Sequence, residues 1–238
     1  NLATRSSDNT VGGLHSKIIR DWKMAAGATY HAALANELGN IGFAIDRVGK
    51  NGVFEIAGVD DEIIKYFSAR RQEIENELAE HGVASSQAVA LAAAIAKATR
   101  KAKRAKESLN REETWQEAAR SIGIEVTTFI EKLRDQSRTL DAEVGERLLT
   151  ERLAALPAVL TEHESVVERR ELVRAVSAAF VGTGLAVERV EIEVERLLQD
   201  GAVVEIGRDA LGLPCYSTPE MLAIERNVVR QAQYLANQ

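Results

Sequence analysis

Apolar residues recur at intervals of three and four along most of this chain, which is the spacing of helices that bury one face. Short alternating stretches interrupt that pattern in a few places, as expected for strands. The chain is therefore predicted to be an α+β protein that is mainly α-helical. The predicted helices cover about residues 16–38, 60–80, 85–106, 115–122, 126–133, 140–156, 161–181, 187–199 and 219–238.

The first long helix has predicted ends and a predicted buried face. The Ser16 hydroxyl can cap its N-terminus, and Gly39 and Gly42 follow its last apolar residue. Its larger apolar residues are spaced by three or four positions, so they should face the core. These residues are Ile19, Met24, Tyr30, Leu34 and Leu38.

Strands are predicted in three places. A short pair flanks a turn around Asp8 and Asn9 near the N-terminus. Residues 43–45 and 53–56 lie on either side of Asn51-Gly52, a dipeptide that favours a tight hairpin turn. A second hairpin is predicted for residues 203–206 and 214–217, across a loop that contains glycine.

Pro157 marks the predicted domain boundary, because proline disrupts the interior of a helix. Beyond it, Thr161 and Glu164 have the spacing of a capping box, and Thr218-Pro219 is typical of a helix start. Two helices, a hairpin and a further helix make a winged-helix-like module of about 80 residues. The first two helices of this module should bury Val166, Val173, Val176, Phe180, Val190, Val194, Leu197 and Leu198. The predicted domains are residues 1–156 and 157–238.

The main functional signal lies between Ser85 and Lys106, where a small apolar half is followed by a basic half. Ala, Lys and Arg are good helix formers, so one helix capped by Ser85 or Ser86 is predicted. Four cations then share one helix face, which suits contact with a phosphate backbone. They are Lys97, Arg100, Lys101 and Arg104, here called the cationic stripe, and Lys103 lies beside them. The alternative is a solvated helix end whose cations offset the C-terminal dipole.

Two further cations are predicted on the apolar face of the 60–80 helix. Arg70 and Arg71 project with Ile63, Phe67, Ile74 and Leu78 on a helical wheel. One interpretation is structural, with the arginine stems packed and their heads paired with Glu73 or Glu77. The other is functional, with one guanidinium clamping a phosphate through two hydrogen bonds.

Composition limits the function classes. The 238 residues carry a formal net charge of -6, so any nucleic-acid surface has to be local. The longest apolar run, 88–96, is too short to span a bilayer, so no membrane insertion is expected. The single Cys215 cannot form an internal disulfide, which fits a cytoplasmic protein. The sequence opens without Met and is expected to be a fragment of a longer protein.

Common catalytic motifs are absent from the sequence. It contains no GxxxxGK[ST] and no HExxH, and its four histidines share no metal-ligand spacing. Asp60 and Asp61 could be nominated as a nuclease pair, but acids in a first helical turn are ordinary partners of the helix dipole. We therefore expect no catalytic residue, cofactor or metal in this chain, and no nicking or ATP hydrolysis by it alone.

The order of several short motifs resembles that of the TrwC/TraI-type conjugative relaxase-helicases, which nick plasmid DNA at a transfer origin and unwind it. Matching phrases are Asn1–Thr4, Gly13–Ser16, Gly27–Tyr30 with Leu34, Glu37 and Leu38, Gly42-Phe43, Phe54–Val59, Phe67–Arg71 with Ile74, Thr99–Lys103, Trp115 and Gly123. After Pro157, Leu160–Glu162 and Tyr216–Leu222 resemble the lead-in to the helicase part.

This resemblance implies a place between two catalytic centres. The family's catalytic tyrosines, its metal-binding histidines and its Walker A loop have no counterpart here, so divalent metal and ATP are expected only for the full-length family member. Residues 1–156 would be the helical C-terminal part of a relaxase-like domain with one β-hairpin, and residues 157–238 the winged-helix-like lead-in to a helicase domain.

The implied function is to grip single-stranded DNA and to link the relaxase and helicase catalytic centres. Conjugative secretion or coupling machinery is a further expected partner. The candidate DNA-binding residues are Arg70, Arg71, Lys97, Arg100, Lys101, Lys103 and Arg104. The alternative is a non-catalytic helical and winged-helix adaptor, or a DNA-binding regulator, unrelated to conjugation.

Overall fold

The computed structural model describes residues 2–4, 6–13, 16–49, 52–80, 91, 94, 95, 97, 111–134 and 141–237. The chain divides into two compact units, Asn1–Ile56 with Ser137–Gln238, and Ala57–Gln136. The described elements are mainly helices with a few antiparallel strands, which confirms the predicted fold class.

The first unit combines both ends of the chain. Its helices are α1 (Lys17–Asp21), α2 (Lys23–Asn40), α7 (Ala142–Leu160), α8 (Arg169–Phe180), α9 (Val190–Gln199) and α10 (Pro219–Ala236). Its strands are β1 (Leu2–Thr4), β2 (Val11–Gly13), β3 (Ile45–Val48), β4 (Val53–Ile56), β5 (Val167–Glu168), β6 (Val204–Arg208) and β7 (Pro214–Ser217). β1 pairs with β2, β3 pairs with β4, and the third sheet has the order β5-β7-β6. All three predicted strand pairings are therefore present.

The buried face of α2 is lined by alanine, which corrects the predicted face. Of the predicted face, Ile19, Met24 and Tyr30 are each about 60% exposed, and only Leu34 and Leu38 are half-buried. The fully buried residues of α2 are Ala25, Ala28, Ala32 and Ala35. The small side chains allow α2 to pack along α8, where the Thr29 and Ser177 hydroxyls lie 2.9 Å apart. The single predicted helix is also divided at Trp22, and Ser16 makes no side-chain cap.

The hairpin of β3 and β4 is seated on α8 through its turn. Gly52 has a φ of +69°, and a Cβ there would lie 3.0 Å from the Cα of Ala178. Glycine is therefore required both by the backbone conformation and by the close approach to α8. This seat fixes the position of the short strand β3, which carries Arg47.

Pro157 lies inside α7 and does not end a helix, so that prediction is wrong. Its ring removes one hydrogen bond and costs about 3 kcal/mol in a helix interior. Leu156 and Leu160 flank it and are almost fully buried. Burial of one such side chain contributes about 1.5–3 kcal/mol, so two of them offset the cost of the proline. The residues on both sides of Pro157 belong to the same compact unit.

The segment after α7 begins its next helix later than predicted. α8 starts at Arg169, and its capping box is formed by Glu168 and Glu171, so the predicted box at Thr161 and Glu164 is wrong. Residues ahead of α8 pair with β7 as strand β5, and Val166 is 43% exposed. The remaining predicted core positions of α8 and α9 are buried or half-buried. A 3₁₀ turn (Val187–Arg189) precedes α9, and Thr218 caps α10 as predicted, its hydroxyl accepting from the Met221 N–H at 3.2 Å.

The described helices of the second unit are α3 (Asp61–Phe67), α4 (Ala69–Glu80), α5 (Arg111–Ser121) and α6 (Val126–Arg134), and residues 91, 94, 95 and 97 are also helical. The predicted 60–80 helix is divided at Ser68, a residue type that competes with helical hydrogen bonding. Phe67 is consequently 45% exposed and not part of a continuous apolar face. Leu78, Ile95, Ala119 and Leu133 are buried.

Candidate nucleic-acid interface

The cationic stripe falls only partly within the described residues. Lys97 is helical and exposed, and Ile95, two positions earlier, is 7% exposed. An exposed lysine beside a buried isoleucine is what a helix with one solvent-facing cationic side requires. Arg100, Lys101, Lys103 and Arg104 lie outside the described residues, as do Ser85 and Ser86, so the rest of the stripe stays a prediction.

Arg70 and Arg71 lie in the first turn of α4. They precede Ile74 by four and three residues, and Ile74 is half-buried while Leu78 is buried. Their backbone positions are therefore on the side of α4 that carries its apolar residues. Whether they pack or bind phosphate stays a prediction, because the structure describes their backbone only.

A pair of arginines that the sequence reasoning missed meets in the first unit. Arg47 of β3 and Arg152 of α7 both line a cavity of about 210 Å³. Gly49 of the hairpin turn also lines the cavity, and the remaining lining residues are apolar. They are Ala155, Leu156, Val159, Ala175 and Ala179.

Arg152 is held in place by the end of α8. Its Nη1 donates hydrogen bonds to the carbonyl oxygens of Ala179 at 2.8 Å and Val181 at 2.7 Å. These carbonyls belong to the last turn of the helix, where cations and donors are favourable. Burial lowers the pKa of Arg152, and the neighbouring charge of Arg47 lowers it further. Burial likewise lowers the pKa of Arg47.

The exposed side of α9 and the start of α8 form a different kind of surface, rich in carboxylates. Arg169 donates to Glu191 Oε2 and Glu195 Oε1, both at 2.7 Å. The hydrogen bond with Glu195 is the main cause of the raised pKa of Arg169. Arg189 is bound in the same way by Glu146 and Glu193. Arginines on this surface are already neutralised, so it is poorly suited to bind phosphate.

The loop between β6 and β7 is closed by its own hydrogen bonds. Asp209 Oδ1 accepts from the backbone N–H groups of Leu211 and Leu213, both at 2.8 Å, and Arg208 donates to the Gly212 carbonyl at 2.8 Å. Leu211 at its tip is 73% exposed. The loop therefore presents an apolar tip, and its arginine is engaged by the loop backbone.

Among the described His, Cys, Asp and Glu residues, no group of three is placed so that it could hold a metal ion. His31 lies edge-on to Phe54 with ring centroids 6.2 Å apart, which is a packing role. None of the described helices combines the length and apolarity needed to cross a membrane.

The first half of the chain matches a known protein family. Residues 1–122 match the family model described as TrwC relaxase, which covers just over half of the 238 residues. This chain belongs to the TrwC relaxase family. Comparison with curated protein sequences finds no match.

Family membership confirms the resemblance inferred from the sequence motifs. It supports assignment of the chain to a conjugative relaxase. It also implies DNA binding at a transfer origin. Of the two functions weighed from the sequence, it favours the relaxase over an adaptor unrelated to conjugation.

Proposed function

We propose that this chain is the DNA-gripping and linking segment of a conjugative relaxase that is fused to a DNA helicase. The linking role is supported by one packing interaction above all. Helix α2 lies inside the matched residues 1–122, and α8 lies outside them, yet the two helices pack along each other in one core. The part of the matched residues up to Ile56 thus shares one core with the segment that follows the match.

The segment from α7 to β7 has the arrangement expected for a winged-helix-like module. Its elements follow the order α7-β5-α8-α9-β6-β7, and the strand next to α8 pairs with the last strand. Three helices together with a sheet of order β5-β7-β6 support this proposal. The first helix of the module is then α7, so the module begins near Asp141 and not at Pro157.

Within this module, we propose that α9 packs and does not contact DNA. The stretch from Val187 to Asp200 contains five carboxylates against two arginines. Phosphate backbones repel such a surface, and the arginines there already have carboxylate partners. DNA gripping is accordingly assigned to the second unit, through the cationic stripe and the Arg70-Arg71 pair.

Salt-dependent binding tests the gripping role. The triple variant Arg100→Ala, Lys101→Ala, Arg104→Ala should retain its fold, since alanine is a strong helix former. Affinity for a single-stranded oligonucleotide should fall, and the slope of log affinity against log salt should flatten by about 2, the sum of three contacts of about 0.7 each.

A matched control is Arg147→Ala, Arg226→Ala, Arg230→Ala, which removes three exposed arginines of the first unit. It changes the net charge equally, so any general electrostatic effect appears in both variants. The gripping proposal fails if the stripe variant and this control bind DNA equally well at every salt concentration.

The helicase and secretion partners belong to the same proposal. Support for a following helicase comes from the resemblance of Tyr216–Leu222 to that family's lead-in, part of which forms the capped start of α10. Metal and ATP would be needed by the complete relaxase-helicase and not by the described residues. Sequencing the flanking coding region for a histidine cluster before Asn1 and a P-loop after Gln238 tests the fusion directly.

A further inference from the structure

Two adjacent aromatic side chains, Tyr66 and Phe67, reach the surface of the second unit at the end of α3. Each residue is 45% exposed, and the two rings stand nearly perpendicular, with centroids 5.2 Å apart. An edge-to-face contact of this kind covers one face of one ring and leaves the other faces to the surroundings. Flat apolar surface is therefore exposed at a point where burial would be favourable.

The division of the chain at Ser68 is what exposes Phe67. The Ser68 N–H bonds to the last turn of α3 and closes that helix before α4 begins. On one unbroken helix Phe67 would share the apolar face of Ile74 and Leu78, which follow it by seven and eleven residues. The division instead leaves Phe67 at a helix end, outside that face.

Tyr66 is held in place by the end of α5. The Ser121 hydroxyl donates to the Ala118 carbonyl at 2.7 Å, so its oxygen is left to accept from the Tyr66 hydroxyl, 3.2 Å away. This bond joins the end of α3 to the end of α5 across 55 positions of the chain. A ring that is already oriented loses little conformational freedom when a ligand binds, which favours affinity.

The residues around the two rings favour an unpaired DNA base as their ligand. Arg70 and Arg71 follow Phe67 by three and four residues, so their backbone lies within about 14 Å of it. The carboxylates of the first turn of α3 are at its opposite end. Proteins bind single-stranded nucleic acid by combining such cations with aromatic rings on which bases stack. Bases of a duplex are already stacked on each other, so the exposed rings suit a single strand.

We propose that Tyr66 and Phe67 form a stacking platform for an unpaired base of the DNA strand whose phosphates contact Arg70 and Arg71. The inference rests on the proposed DNA-gripping function and deepens it, because the cations hold the backbone while the rings select a single strand over a duplex. The sequence pattern places Phe67 on a buried face, so this role depends on the structure.

The decisive variant is Phe67→Leu in the full 238-residue chain, which keeps an apolar side chain and removes the ring. Its affinity for an oligothymidylate strand should fall about five- to hundredfold, the effect of losing one stacked base. Its affinity for a strand of equal length made of abasic sites should not change. The salt slope should also stay the same, because no charge is removed. Tyr234→Leu, an exposed tyrosine of α10, is the matched control and should bind both strands like the parent.

A second variant keeps the ring and tests whether stacking is the cause. Phe67→Trp retains an aromatic face and should keep the affinity of the parent for oligothymidylate, whereas a loss as large as that of Phe67→Leu would overturn stacking. Should Phe67→Leu fail to fold, Tyr66→Leu applies the same test to the other ring.

Three results would overturn the platform. An equal loss of affinity on base-bearing and abasic strands, or a flattened salt slope, would show that Phe67→Leu acts through phosphate contacts. A lowered melting temperature with unchanged binding of both strands would make Phe67 a structural residue. A changed oligomeric state in light scattering, with unchanged DNA affinity, would assign the rings to contact between protein copies.

The two proposals fail in different ways. The stripe variant should lose affinity for both strands and flatten the salt slope, while Phe67→Leu should affect only the strand that carries bases. If the stripe variant behaves so and Phe67→Leu binds like its control, gripping stands and the platform falls. If only Phe67→Leu loses affinity, the platform stands and the stripe is a solvated helix end. If neither variant differs from its control, both proposals are wrong.

Discussion

Gly145 offers a stability test in which two well-known effects have opposite signs. In an ordinary helix interior, Gly→Ala stabilises by about 0.5–1 kcal/mol because alanine loses less backbone entropy. Gly145 lies in α7, but a Cβ there would be only 2.3 Å from the carbonyl oxygen of Thr183. That oxygen belongs to the backbone, and Thr183 is fixed by its N–H bond to the Phe180 carbonyl at 3.0 Å, so it cannot rotate away.

The magnitude follows from how far the two segments must separate. Ordinary contact requires an opening of about 1 Å, and overpacking of this kind typically costs 1–3 kcal/mol. After the gain in helix propensity is subtracted, Gly145→Ala should lower the free energy of unfolding by about 1–2 kcal/mol.

The control is Gly27→Ala in α2, where the added Cβ would meet no atom of a neighbouring element within 4 Å. It should stabilise by about 0.5–1 kcal/mol. Both sites are in the same compact unit, so the two variants report on the same unfolding event. Thermal unfolding followed by circular dichroism should separate them by several degrees, at about 2–4 °C per kcal/mol for a chain of this size. A Gly145→Ala variant as stable as Gly27→Ala would refute the close approach of Thr183 to α7.

Three further predictions concern single contacts of the first unit. Arg152→Gln removes the donor to the Ala179 and Val181 carbonyls and should lower the free energy of unfolding by about 2–4 kcal/mol, measured in urea. A decrease no larger than that of a surface variant would contradict this capping role. The hydrogen bond from Arg189 lowers the pKa of Glu146, so its stabilisation is present above the unfolded pKa and is lost as pH falls through the folded one. Glu146→Gln should therefore cost about 0.5 kcal/mol at pH 7, and this cost should shrink as the pH falls through the folded pKa of Glu146. A cost that did not depend on pH would count against the ion pair. Thr218→Ala removes the hydroxyl that accepts from Met221 N–H and should cost about 1 kcal/mol by urea unfolding, and an unchanged midpoint would show that α10 does not depend on this cap.

The sequence pattern predicted the kinds of elements better than it predicted their faces. The hairpin signal at Asn51-Gly52 and the cap at Thr218 are local, and both hairpin and cap are present. The face of α2 is not local, because it depends on what the helix packs against. Reasoning from side-chain hydrophobicity places the large residues Met24 and Tyr30 in the core. Close packing of α2 on α8 instead buries alanine, at positions such as 25 and 32.

Helix ends show the same division between local and tertiary effects. Pro157 is a correct local signal with a real energetic cost, but the burial of leucines on both sides of it depends on the fold and outweighs that cost. Ser68 shows the reverse, because a modest local preference divides a helix whose apolar pattern continues past it.

The Arg47-Arg152 pair lay beyond sequence reasoning for a physical reason. Arg47 sits in a short alternating strand and Arg152 in an amphipathic helix, and in each setting a single arginine is unremarkable as a solvent-facing residue. What makes the pair unusual is the seating of the hairpin turn on α8 through Gly52 together with the capping of α8 by Arg152. Both interactions converge on α8, so the helix that joins the family-matched part to the rest of the chain also brings the two charges to one cavity.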